Sequence, residues 1–187
     1  MEEFEITFLE VDVPKLEKKL AEISAEKVGE YDYRRALFDY PDFRMNRRDR
    51  WLRLRTNGKE ITLAYKESVK GRYGDNAGMK EIEVIVDDYE KTYELLKSIR
   101  LVIKREEENK KIRYRKGKTV FDIDSWPEIP TYLEVESTSI KEAQNSAQKI
   151  GLDPKDGLIF SAKEGYLRYG INIDDYSSIT FKGMRKK

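Results

Sequence analysis

A chain of 187 residues can bury a core within one domain, and its 37 Lys and Arg nearly cancel its 36 Asp and Glu. The resulting net charge of +1 argues against a nucleic-acid partner held by bulk positive charge. Without Cys or His there are no disulfides, thiolate or imidazole metal ligands, cysteine nucleophiles or Ser-His pairs, so any metal must be a hard ion on oxygen donors.

The absence of an 18-residue apolar run and of a leader-like start points to a cytoplasmic protein with no membrane partner. Residues 3 to 11 alternate as a strand, with Glu3, Glu5 and Thr7 on one face. Asp12 suits a helix N-cap and Pro14 a first turn, and Leu16, Leu20 and Ile23 form a helical stripe ending before Gly29. A strand follows near Tyr31 to Tyr40, then a polar loop through Pro41, Asp42 and Asn46. The strand Trp51 to Arg55 sets Arg53 and Arg55 opposite Leu52 and Leu54. Asn57-Gly58 is a strong hairpin signal, and Ile61 to Lys66 is the returning strand, with Thr62, Ala64 and Lys66 on one face. Val69 to Gly78, rich in glycine and charge, is expected to be a mobile loop.

Met79 to Val86 forms a further strand in which Glu81 and Glu83 alternate with Ile82 and Val84. Asp87 or Asp88 caps a helix with Tyr89, Leu95, Leu96 and Ile99 as its buried side. Leu101 to Glu107 and Lys110 to Arg115 are expected as two strands, the second with Lys111, Arg113 and Arg115 on one face. Gly117-Lys118 turns the chain into a strand carrying Asp122 and Asp124, and Thr131 to Glu136 carries Glu134 and Glu136. A helix starting at Ser137 to Ser139 places Ile140, Ala143, Ala147 and Ile150 inward and stops at Gly151. Ser161 suits the cap of a short helix carrying Lys163, Tyr166 and Leu167. Residues 1–175 are expected to be one domain, and the basic tail 176–187 to be loose.

Like charges recur two residues apart: Glu3/Glu5, Glu81/Glu83, Asp122/Asp124 and Glu134/Glu136 against Arg53/Arg55, Lys66 and Lys111/Arg113/Arg115. Carboxylates two apart on a strand stand roughly 6–7 Å from each other and repel by roughly 2–3 kcal/mol at an effective dielectric of about 20. Holding them under cover therefore needs a cation between them. The simplest alternative is an amphipathic strand whose charged face is wet. The fold that reconciles the pattern is α+β: about eight antiparallel strands closed into a β-barrel with a charged interior and helices packed outside. Arginines two apart present parallel forks to phosphate oxygens, and clustered carboxylates suit one or two divalent cations. A metal-bound polyphosphate uses both.

Glu3-x-Glu5, Leu52-Arg53-Leu54-Arg55, Thr62-Leu63-Ala64-Tyr65-Lys66, Glu81-Ile82-Glu83-Val84, Asp124-Ser125-Trp126 and Tyr132-Leu133-Glu134-Val135-Glu136 occur in this order. Together they resemble the CYTH superfamily, the triphosphate tunnel metalloenzymes, over roughly residues 1 to 170. That resemblance implies an eight-stranded antiparallel tunnel acting on a small-molecule triphosphate with Mg²⁺ or Mn²⁺. Glu3, Glu5, Asp124, Glu134 and Glu136 would then be metal ligands, with Asp122, on the same strand face as Asp124, a further candidate ligand and Glu81 and Glu83 candidate catalytic residues in support. Arg53, Arg55 and Lys66 would hold phosphate oxygens, with Lys111 or Arg113 in the place of a family arginine and Lys163 as the late lysine. Thr7 stands where the family carries a lysine and supplies a hydroxyl but no charge. The implied activity is hydrolysis of inorganic, nucleoside or thiamine triphosphate. The alternatives are a class IV adenylate cyclase and a non-catalytic triphosphate or polyphosphate binder. A homodimer is also in keeping with the resemblance.

Overall fold

In the computed structural model, which describes residues 4–70, 76–159 and 162–187, the period-two sequences form antiparallel strands and the 3.6-period stretches form helices. The fold is α+β, as the patterning implies. The described residues carry ten strands, β1 (Phe4–Phe8), β2 (Glu26–Asp39), β3 (Arg50–Thr56), β4 (Ile61–Lys70), β5 (Asn76–Ile85), β6 (Val102–Lys116), β7 (Thr119–Ser125), β8 (Tyr132–Ser137), β9 (Tyr176–Thr180) and β10 (Gly183–Lys186). Four α-helices accompany them, α1 (Val13–Glu22), α2 (Tyr89–Ser98), α3 (Ile140–Lys149) and α4 (Ala162–Arg168). The chain falls into two compact units, the first built mainly from 3–31 and 109–173, the second mainly from 32–108 and 174–187.

In the first unit the strands run β1-β8-β7-β6 as an open antiparallel ladder. Its apolar face carries Ile6, Phe8, Phe121, Ile123, Leu133 and Val135, all buried under Leu16 and Leu20 of α1 and Ala143 and Ala147 of α3. Both helices begin as their sequences require: Asp12 accepts a hydrogen bond from the Lys15 amide, and Ser139 from the Glu142 amide. Gly151 follows α3 with φ of 82°, a left-handed conformation that glycine adopts without strain. Seven-residue α4 is fixed by Tyr166, whose hydroxyl donates to the Pro127 carbonyl at 2.8 Å and whose ring meets Trp126 edge-on at 6.2 Å.

In the second unit the order is β2-β3-β4-β5, with Ala36, Phe38 and Leu54 buried beneath Tyr89 and Leu96 of α2. Asp88, not Asp87, caps α2 by accepting from the Lys91 amide. The buried side of α2 is narrower than its apolar composition suggests. Tyr89, Tyr93 and Leu96, spaced four and three apart, share the inward face, whereas Leu95 and Ile99 are 61% and 62% exposed.

Three further expectations are revised. The two strands expected over Leu101 to Glu107 and Lys110 to Arg115 are one 15-residue strand, Val102–Lys116. The expected loop at 69 to 78 is shortened: β4 runs on to Lys70 and β5 starts at Asn76, in register as far as a bulge at Val69/Lys70. Of that stretch, 71–75 lie outside the described residues. The basic tail forms the β9–β10 hairpin, with Ile179 fully buried and Glu106 and Glu107 of β6 paired parallel to Ser178 and Ile179 of β9. One apolar side chain at Ile179, rather than the net charge of the segment, decides that it packs.

Candidate functional site

The ladder registers of the first unit collect charge on the sheet face opposite its apolar core. Thr7 lies beside Glu134, Glu134 beside Asp122, and Asp122 beside Arg113. One step along, Glu5 is paired with Glu136, and on the other side of that row Asp124 is paired with Lys111. Directly opposed residues have Cβ atoms about 5 Å apart, so these side chains reach one another without distortion.

Asp122, Asp124 and Glu134 each offer a carboxylate oxygen within 4.8 Å of the other two. Lys111 enters this triad. Its Nζ donates to Asp122 Oδ2 at 2.7 Å and to Glu134 Oε2 at 3.3 Å, and lies 3.0 Å from Asp124 Oδ2. Arg113 adds a two-pronged contact to Asp122, Nε to Oδ1 at 2.7 Å and a terminal nitrogen to Oδ2 at 2.6 Å. Asn109 donates its amide to Asp124 Oδ1 at 2.7 Å. The remaining oxygen of Asp124 is buried and makes no well-aligned hydrogen bond, although it faces the ammonium.

Proton affinities follow from this crowding. Burial pushes Glu5 up to about 7, and Asp124, Glu136 and Asp122 reinforce it against the opposing pull of Lys111. Burial, then the Glu134 charge, also raises Asp124 well above the usual aspartate range. Glu134 is raised by burial and by Glu5. For Asp122 burial acts upward too, but the bonds from Arg113 and Lys111 outweigh it and hold the carboxyl below its ordinary value. Burial would lower Lys111, yet the three carboxylates overcome it and hold the ammonium firmly protonated.

The second unit builds a cluster of opposite character. Arg53 of β3 is paired with Ala64 of β4, which is paired with Glu83 of β5. The small side chain between them lets the Arg53 guanidinium cross β4 and meet Glu83 at 3.1 Å and Glu81 at 3.2 Å. Lys66 lies 2.9 Å from Glu81, and Arg55 lies 3.7 Å from Glu83 and 4.9 Å from the centre of the Tyr33 ring. Arg53 is pushed down to about 10, by burial first and then by Arg55 and Arg35. Its Nε and the Thr62 hydroxyl are buried and make no hydrogen bond with any described residue. Those groups suit an anion.

Of the residues singled out in the sequence, Glu5, Asp122, Asp124, Glu134, Glu136, Lys111 and Arg113 share one face of the first unit. Arg53, Arg55, Lys66, Glu81 and Glu83 share one face of the second. Glu81 and Glu83 are counter-ions of the basic residues there. Lys163 is exposed on the first turn of α4, while Glu3 and Ser161 lie outside the described residues.

Sequence patterning missed Asn109, and it missed the buried Arg105–Glu107 pair of the second unit at 2.6 Å. Both belong to β6, where charged residues also fill the intervening positions Lys104, Glu106, Glu108 and Lys110 and erase the polar-apolar alternation. The one available signal was the odd-numbered run Arg105, Glu107, Asn109, Lys111 and Arg113.

Among known proteins, the model of the CYTH domain family matches residues 1–184. No curated protein sequence matches the chain. Solved structures share the fold. The PH1012 protein of Pyrococcus horikoshii superposes with a TM-score of 0.67 at 21% identity, over 83% of this chain and 94% of that one. A candidate adenylate cyclase of Vibrio parahaemolyticus gives 0.72 at 14% identity, over 88% and 97%. A candidate adenylyl cyclase of Hippeastrum, described as revealing a dominant triphosphatase activity, gives 0.64 at 15% identity, over 91% and 96%.

Proposed function

Because the chain belongs to the CYTH domain family, we propose that it is a metal-dependent enzyme that hydrolyses a small-molecule triphosphate: inorganic, nucleoside or thiamine triphosphate. The observation that carries this reading is the carboxylate triad of Asp122, Asp124 and Glu134, with its ligand oxygens within 4.8 Å of one another and one buried oxygen lacking a well-aligned hydrogen bond. An all-oxygen, anionic donor set fits Mg²⁺ or Mn²⁺. Asp122, Asp124 and Glu134 would hold the ion, with Glu5 and Glu136 beside them. When bound, such an ion neutralises charge that develops on phosphoryl oxygens.

The chain's own residues supply the rest. Arg53 and Arg55 bind non-bridging phosphate oxygens through their guanidinium forks, and Lys66 adds a point charge. The unbonded Arg53 Nε and Thr62 hydroxyl support this assignment. In this reading Glu81 would orient the attacking water and Lys163 would contribute charge to the phosphate chain. Attack of water at the terminal phosphorus breaks its bond to the bridging oxygen and releases orthophosphate.

Cyclisation by a ribose hydroxyl at the α-phosphorus is the alternative chemistry, in keeping with the names of the Vibrio and Hippeastrum proteins. A non-catalytic binder is the alternative of another class, favoured by Lys111 standing among the would-be metal ligands and by Thr7. The deciding experiment incubates the protein with tripolyphosphate, ATP or thiamine triphosphate and either metal, and measures phosphate, pyrophosphate and cyclic AMP. Phosphate release is the expected result. Pyrophosphate with cyclic AMP replaces hydrolysis by cyclisation, thermal stabilisation without turnover leaves a binder, and silence in all assays overturns the proposal.

A further inference from the structure

Lys111 occupies the position between Asp122, Asp124 and Glu134 with Nζ to oxygen distances of 2.7, 3.0 and 3.3 Å. It is not a bystander at the rim. Its side chain is 16% exposed, and those of Asp122 and Asp124 are 6% and 3% exposed. The oxygens that it contacts, Asp122 Oδ2, Asp124 Oδ2 and Glu134 Oε2, include one from every member of the triad. An ammonium and a divalent ion at contact distance repel strongly, so the two cations exclude each other from this space. Arg113 stays paired to Asp122 through two bonds of its own, and a planar, bidentate fork is poorly suited to leave. Lysine, a single point charge on a flexible four-carbon stem, is the group built to move.

We propose that Lys111 is a resident counter-cation that fills the divalent-metal position of the ligand-free protein and yields it only when a polyphosphate offers the ammonium another anionic partner. Metal and phosphate then bind cooperatively, coupled through one side chain: each vacates or occupies the place that the other needs. The inference rests on the metal-dependent reading above, since it assumes that the triad is a metal position at all. It accounts for three carboxylates held together under cover, since the ammonium lies between them.

The test is Mn²⁺ binding by the phosphate-free protein, followed by titration calorimetry and by the paramagnetic resonance signal of free Mn²⁺. K111M, which keeps the length of the stem and removes the charge, is expected to lower the Mn²⁺ dissociation constant by roughly tenfold or more, the scale of ordinary coupling between sites. K111R should bind as weakly as the wild type, and the double variant K111M/D124N should lose the gain. Unchanged affinity in folded K111M overturns the proposal. If K111M does not fold, the wild type decides: its slowly exchanging Lys111 ammonium signal in nitrogen-15 spectra should persist in excess Mg²⁺ and be lost when tripolyphosphate is added with it. Loss in Mg²⁺ alone overturns the proposal. Turnover of a triphosphate with no gain in K111M would sink the inference and spare the enzymatic reading, and the reverse pattern would do the opposite.

Discussion

Glu5 shows how far one residue's chemistry is set by its register. Paired with Glu136 and surrounded by further carboxylates, it is raised by burial from 4.5 to about 7. A carboxyl raised on folding contributes stability that is present below its unfolded value and lost as pH climbs through the folded one. Metal-free protein should therefore lose stability between about pH 5 and about pH 7.5, and Glu5→Gln should flatten part of that fall, by at most about 3 kcal/mol. Urea unfolding in EDTA at both ends of the range checks this, and an equal slope in the variant would refute it. The acidic pairs were legible in the sequence because a strand alternates its faces with a period of two. The ion pairs were not: whether Lys111 meets one carboxylate or three depends on how β6, β7 and β8 align, and no local pattern encodes that alignment.

At the scale of elements, capping carried the helices. Asp12 and Ser139 cap α1 and α3 as their residue types imply, so Ser139→Ala should cost about 1 kcal/mol in thermal or urea unfolding. What misled was composition. Net charge made residues 176–187 look like a loose tail, yet Ile179 is fully buried and β9 pairs with β6. Ile179→Ala should cost about 2–5 kcal/mol, the range for truncating a buried aliphatic, and would leave the melting temperature nearly unchanged only if the hairpin were ornamental. The joining of two expected strands into β6 has the same origin: charged residues on both faces hide the period that reveals a strand.

For the molecule as a whole, a formal net charge of +1 conceals strongly segregated fields, acidic on one sheet face of the first unit and mixed but arginine-led in the second. The arginines already have a ligand of their own. Glu81 and Glu83 engage Arg53 at 3.2 and 3.1 Å, so an arriving anion must evict tethered rivals whose effective concentration never falls. A lone orthophosphate replaces one carboxylate with a similar charge and gains little, whereas a linear chain of phosphates can displace both rivals in a single event. If Arg53 and Arg55 hold phosphate as proposed, the two glutamates act as an intramolecular competitor that sets a minimum valence for the guest. Glu81→Gln combined with Glu83→Gln should erode that discrimination, narrowing the calorimetric affinity gap between orthophosphate and tripolyphosphate measured without metal.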